Sequence, residues 1–209
     1  MDASATLAGI RLIPVVVIAH EAAAVPLAEA LLSGGIGAIE ITLRTEAALP
    51  AIARVAAEVP DIIVGAGSVR RATQMHEVAR AGARFAVSPG CSPGLLGAAV
   101  DLNMPFVPGA ATASEMMALL DAGYLLQKFF PAEQQGGLPR IKALAAPLPE
   151  VRFFPTGGIN QALAREYLTC EAVACVGGSW FVPAALVEVG DFRTIAALVR
   201  ETVEQVLGR

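Results

Sequence analysis

RFFPTGGINQALAREYLTCEAVACVGGS, residues 152–179, decides the fold. It holds two short apolar runs, RFFPT (152–156) and AVACVG (172–177), each leading into a glycine pair, Gly157-Gly158 and Gly177-Gly178. Between them QALAREYL (161–168) has the pattern of an amphipathic helix, and Asn160 stands where an N-cap belongs. Strand, glycine turn, helix and strand in that order make a βα repeat.

Working outward from this stretch, the same unit recurs towards the N-terminus. Apolar runs rich in Val, Ile and Phe fall at RLIPVVVI (11–18), AIEITL (38–43), DIIVGAG (61–67), RFAVS (84–88), PFVPG (105–109) and YLLQKFF (124–130). Helical patterns at 46–58, 72–81, 93–101 and 112–122 separate them. Ser92 and Thr112 are placed as N-caps, and Gly34, Gly82 and Gly123 as the left-handed residues that end helices. Eight repeats without a linker leave two architectures, a closed barrel or an open doubly wound sheet. A nucleotide-binding open sheet carries a glycine-rich fingerprint after its first strand, whereas this chain has His20-Glu21-Ala22 there. The glycine pairs instead follow the seventh and eighth runs, the loops with which barrels hold phosphate. The expectation is a single (β/α)8 TIM barrel forming one catalytic domain over residues 1–209.

Composition narrows the function. Hydrophobic residues make up 55% of the chain and charged ones 16%, which excludes disorder. No apolar run reaches the roughly 18–20 residues of a membrane span, because His20, Glu21, Asp101 and Lys128 interrupt the candidates. The N-terminus lacks a basic patch before an apolar run, so neither a signal peptide nor a membrane partner is expected. A net charge of -4 points away from nucleic acid. Cys91, Cys170 and Cys175 have no zinc-like spacing and are read as small buried hydrophobes of a reducing cytoplasm. With His20 and His76 the only histidines, no metal is expected.

Lys128 is the most informative single residue. It interrupts an apolar strand in a chain whose only other lysine is Lys142. Strand alternation sets Leu126, Lys128 and Phe130 on one face, with Gln127 and Phe129 on the other. Both faces of a barrel strand are dry. Burial disfavours an ammonium, and the uncharged amine is the form that attacks carbonyls. The alternative is a structural lysine paired with a carboxylate across the lumen. In EITLR, alternation aligns Glu40, Thr42 and Arg44, which would aim an acid/base and an anion clamp at the same cavity. Glu40 would favour the ammonium and Arg44 the amine, and the sequence does not decide between them. GAGS lets backbone approach a ligand at Gly65 and Gly67 and adds the Ser68 hydroxyl. PTGG and VGGS offer backbone N–H groups to an anion, joined by the hydroxyl of Ser179. Two further readings stay open at this level: a phosphate-binding isomerase or epimerase, and a non-catalytic sugar-phosphate binding protein.

The ordered set EITLRT, GAGS, SPG, KFFPAE, PTGG and GGSW resembles the 2-keto-3-deoxy-6-phosphogluconate aldolase family, which also acts on 4-hydroxy-2-oxoglutarate. The resemblance runs from about residue 10 to the C-terminus. It implies a class I, Schiff-base aldolase with Lys128 as the imine-forming lysine and Glu40 as general acid/base. It implies that Arg44 and Ser68 hold the pyruvate carboxylate and that Gly157, Gly158 and Ser179 hold phosphate. Pro89, Phe130 and Thr156 would line the substrate pocket. The resemblance further implies no cofactor, a cytoplasmic homotrimer, and small-molecule partners only, a 2-keto acid phosphate and pyruvate. One departure is visible: the family usually has Thr where this chain has Ser68.

Overall fold

The structure is a computed structural model and describes residues 1–208. Strands and helices alternate from the start: β1 (Leu12–Val16), α1 (Ala24–Ser33), β2 (Ala38–Thr42), α2 (Ala48–Glu58), β3 (Ile63–Gly67) and α3 (Ala72–Arg80). Next come β4 (Phe85–Val87), α4 (Pro93–Asp101), β5 (Phe106–Val107), α5 (Ala113–Asp121), β6 (Leu126–Phe129) and α6 (Gly137–Ala145). The chain ends with β7 (Arg152–Pro155), α7 (Gln161–Leu168), β8 (Val176–Gly178), α8 (Ala184–Glu188) and α9 (Phe192–Leu207). Every strand pairing is parallel, as intervening helices require.

The sheet curls, but its regular ladders do not run through all eight strands. One ladder has the order β5-β4-β3-β2-β1-β8, and β6 and β7 form a second. Isolated bridges join them, Gly109 with Lys128 on one side and Phe153 with Val173 and Thr156 with Gly177 on the other. β5 is cut to two residues because Pro105 and Pro108, on either side of it, have no N–H for a ladder. β8 begins at Val176 rather than at the expected residue 172, since Val173 makes only its bridge.

Two apolar clusters hold the curl. Ile13, Phe85, Val87, Val107, Leu126 and Phe154 meet inside it, joined by Ala3 and Leu7. Asp2 Oδ2 accepts the Leu126 N–H at 2.9 Å, which fastens the N-terminal segment over the start of β6. The second cluster lies between strands and helices, where Ile39 and Ile41 of β2 pack with Leu27, Leu31, Ile52 and Val55. Burying each such side chain contributes about 1.5–3 kcal/mol. Their strand neighbours Glu40 and Thr42 are buried as well and point the other way, into the curl.

The expected caps are present at Ser92, Thr112 and Asn160, each accepting the N–H three residues on. Gly82 and Gly123 have positive φ after α3 and α5, but after α1 that role falls to Gly35, not Gly34. Gly34 is needed for another reason: a Cβ there would stand 2.3 Å from Val199 Cγ1, so it sets the approach of α1 to α9. Of the cysteines only Cys175 is buried, and burial pushes its thiol up to about 12; Cys170 is half-buried and Cys91 exposed. No helix among the described residues is long and apolar enough to cross a membrane.

Candidate active site

Lys128 is held by its backbone on both sides. Its N–H donates to Pro108 O at 2.8 Å and its carbonyl accepts from Ala110 at 3.0 Å, while β6–β7 pairing sets it opposite Phe154. The residue is 5% exposed, and Nζ lies 3.0 and 3.3 Å from the two carboxylate oxygens of Glu40. The rings of Phe154 and Phe130 stand 5.4 and 5.7 Å from the same nitrogen, close enough for cation–π attraction. Glu40 itself is fully buried. The space it occupies is made by Gly67 on the neighbouring strand, where a Cβ would come within 2.1 Å of Oε1. A Cβ on Gly65 would likewise meet the Phe85 ring at 2.3 Å. Both glycines were expected to admit a ligand; they admit side chains instead.

A lysine paired with glutamate is also what a structural pair would look like. What separates the two is access. The pair lines a chamber of about 440 Å³ together with Arg44, Ser68, Pro89 and Phe130. A second chamber of about 410 Å³ adjoins it, bounded by Gly157, Gly158, Gly177, Gly178 and Ser179. Val15, Thr42, Arg44, Phe130 and Thr156 line both. All ten sequence-predicted residues therefore meet around one two-part cleft.

Their local settings differ. Arg44 lies two residues beyond the end of β2, in a turn and exposed, rather than on the strand face. Ser68 has φ 58, a left-handed conformation in which a β-branched residue is strained, so serine suits this backbone better than threonine. Pro89 is exposed at the rim, and Phe130 is half-buried. Thr156 is buried, and among the described residues its hydroxyl has no hydrogen-bond partner. Gly157 and Gly158 have φ 106 and 76, which explains the glycine pair. Gly177 is bridged to Thr156 and leaves room for it, since a Cβ would stand 2.4 Å from the threonine hydroxyl.

Arg70 in the lining and Glu133 behind the glycine loop escaped sequence reading. Arg70 faces the lysine chamber from the β3–α3 loop. Glu133 supports the glycine loop: its N–H donates to Gly157 O at 3.1 Å, and its carboxylate accepts the hydroxyl of buried Tyr167. Burial, and then Glu133, push that phenol upward. A lone loop arginine has no periodicity to betray it, whereas Glu133 stands within KFFPAE and was available as a signal. Among the described residues no three His, Cys, Asp or Glu are grouped to hold a metal ion.

A buried lysine, a carboxylate in contact with it and an adjoining chamber lined by glycine loops suit carbonyl chemistry on an anionic substrate. The family model for KDPG and KHG aldolase matches residues 3–198. The chain belongs to the KDPG and KHG aldolase family. It is 50% identical over 192 residues to the KHG/KDPG aldolase of Escherichia coli K12, covering 92% of this chain and 90% of the relative. It is also 50% identical over 191 residues to the 2-dehydro-3-deoxy-phosphogluconate aldolase of Dickeya dadantii, covering 91% and 90%. Among solved members of the family, the KDPG aldolase of Legionella pneumophila superposes with a TM-score of 0.93 at 44% identity, covering 97% of this chain and 98% of that one. That structure holds pyruvate captured as a covalent carbinolamine intermediate.

Proposed function

We propose the following account of how this family member works. It is a class I aldolase that reversibly cleaves 2-keto-3-deoxy-6-phosphogluconate to pyruvate and glyceraldehyde 3-phosphate, and 4-hydroxy-2-oxoglutarate to pyruvate and glyoxylate. The observation that carries the assignment of roles is the contact of Lys128 Nζ with Glu40 at 3.0 Å in a chamber beside the glycine loops.

An ammonium is not a nucleophile, so the first step is a proton transfer along that contact. It leaves an amine at Lys128 and a carboxylic acid at Glu40, two groups each ready for the next event. The amine adds to the C2 ketone, and Glu40 protonates the resulting hydroxyl, which leaves as water to form the iminium. Glu40, now a carboxylate, accepts the C4 hydroxyl proton, directly or through a water, as the C3–C4 bond breaks into the iminium. The enamine takes its proton at C3, and hydrolysis releases pyruvate. One carboxylate serves throughout because each transfer restores the state the next one needs.

Arg44 and Ser68 hold the keto-acid carboxylate, Gly157, Gly158 and Ser179 hold the phosphate, and Pro89 and Phe130 shape the pocket. Thr156 hydrogen-bonds the C4 hydroxyl. The expected domain of residues 1–209, of which Arg209 lies outside the described residues, is one (β/α)8 barrel of eight strands, with the isolated bridges as its seams. The enzyme works without a metal or cofactor, in the cytoplasm, as a homotrimer.

Pyruvate plus borohydride tests the mechanism. Irreversible inactivation is expected, with the adduct on Lys128. An adduct on Lys142, or none, would overturn the covalent route. Activity lost to EDTA and restored by a divalent ion would overturn the metal-free one.

A further inference from the structure

The charges lining the lysine chamber do not balance. Glu40 and Lys128 cancel in their ion pair, and the remaining charged lining residues are Arg44 and Arg70. Neither arginine makes an ion pair with a described residue. Arg44 lines both chambers and so stands between the two anionic ends of a phosphorylated substrate; Arg70 lines the lysine chamber but not the glycine chamber. A C1 carboxylate is one bond from the carbon that Lys128 attacks and must lie within the lysine chamber. The cation that belongs to that chamber by itself is Arg70.

The backbone holds Arg70 there. Ser68 turns the chain with its positive φ, and Val69 is fully buried with its N–H on Val87 O at 3.1 Å. The Arg70 N–H donates to Gln74 Oε1 at 2.9 Å, just before α3 begins. Ser68 and Arg70, on either side of buried Val69, both line the chamber. Their backbone is pinned on two sides, and the guanidinium makes no ion pair with a described residue.

We propose that Arg70 is a specificity-determining residue that, with Ser68 and Arg44, clamps the carboxylate of the 2-keto acid. This rests on the Schiff-base reading of Lys128. Arg70 selects 2-keto acids over uncharged ketones, and it leaves Arg44 free to be shared with the distal anion.

The test compares pyruvate with its neutral amide, pyruvamide, as borohydride-trapped ligands of the intact enzyme. In wild type, pyruvate half-saturates trapping at far lower concentration than pyruvamide. In Arg70→Ala the pyruvate value should rise roughly threefold to tenfold, the range for a charge-assisted contact discounted for an exposed side chain. Pyruvamide should not move. Arg70→Lys should recover part of the loss, because the charge survives and the planar fork does not. A ratio between the two ligands unchanged in Arg70→Ala overturns the role of Arg70, as does an equal shift for both, the mark of a merely structural change. No trapping of either ligand in wild type would instead overturn the Schiff-base reading beneath it.

Discussion

The lysine chamber and the glycine chamber share a wall and are built by opposite means. The first depends on side chains that strands carry into a dry interior, with Glu40 fully buried and Lys128 5% exposed. The second depends on loop backbone at Gly157 and Gly158, both at positive φ, and on the exposed hydroxyl of Ser179. A nucleophile needs isolation from water, which a strand face supplies. An anion site needs several N–H groups in one place, which a turn supplies without desolvating any charge of its own. Damage to one chamber should therefore reach all substrates, and damage to the other should reach phosphorylated ones.

The largest expected effect is at Lys128. Lys128→Met should abolish borohydride trapping and cleavage of both substrates. It also strands a buried carboxylate, and breaking such a pair costs about 3–5 kcal/mol. Adding Glu40→Gln removes the stranded charge, so the double variant should regain much of the stability and none of the activity. Denaturant unfolding of the three proteins checks this. A single variant as stable as wild type would mean that the pair is more hydrated than its burial implies.

Gly67→Ala probes the same chamber without replacing a reacting group. The added Cβ would stand 2.1 Å from Glu40 Oε1, so the carboxylate has to move. A misplacement of about 1 Å can cost roughly 10²-fold in rate. The loss should appear in kcat more than KM and fall alike on phosphorylated and unphosphorylated substrates. A loss confined to the phosphorylated one would contradict the division between chambers.

These two positions also mark what could be read from the sequence. The burial of Lys128 and Glu40 towards one cavity was legible because a charged residue inside an apolar strand breaks a pattern that burial otherwise enforces. The glycine pairs were legible through their position after the last two strands. The purpose of Gly67 was not, because its constraint is the carboxylate of Glu40 on the next strand, and register between strands is not written in either one. Arg44 shows the same limit: alternation carried the strand to residue 43 or beyond, whereas pairing stops at Thr42 and a turn delivers the side chain. Repeat number and the helices α2, α3, α4, α5 and α7 were recoverable from periodicity. How the ladders meet was not, since the two prolines flanking β5 act through hydrogen bonds they cannot make.

Ser179→Ala should break the symmetry in the other direction. A hydrogen bond to a charged group contributes about 1.5–3 kcal/mol, and the exposure of Ser179 argues for the low end, roughly tenfold in kcat/KM. The loss belongs to 2-keto-3-deoxy-6-phosphogluconate; 4-hydroxy-2-oxoglutarate should be cleaved as before. Equal losses on the two substrates would remove phosphate from the glycine chamber.

Thr156 lies on the shared wall, and its substitution carries the smallest effect and the sharpest question. Its hydroxyl is buried without a partner, and an unpaired buried hydroxyl is unfavourable until something bonds to it. On the proposed roles, the C4 hydroxyl, between the carbon bonded to Lys128 and the distal phosphate, falls at the junction of the chambers. Only one C4 epimer can present that hydroxyl to a fixed donor while C2 stays on Lys128. The enzyme is therefore expected to prefer the gluconate-derived epimer, and Thr156→Val, which keeps shape and removes the hydroxyl, should erode the preference. A neutral hydrogen bond is worth about 0.5–1.5 kcal/mol, so the ratio of kcat/KM between epimers should fall by roughly 2- to 13-fold without reversing. Stability should hold or rise, because the variant no longer buries an unsatisfied group when the site is free. If the epimer ratio is unchanged while stability rises, the hydroxyl is a structural defect that substrate never repairs, and the contours of Phe130 and Pro89 set the preference instead.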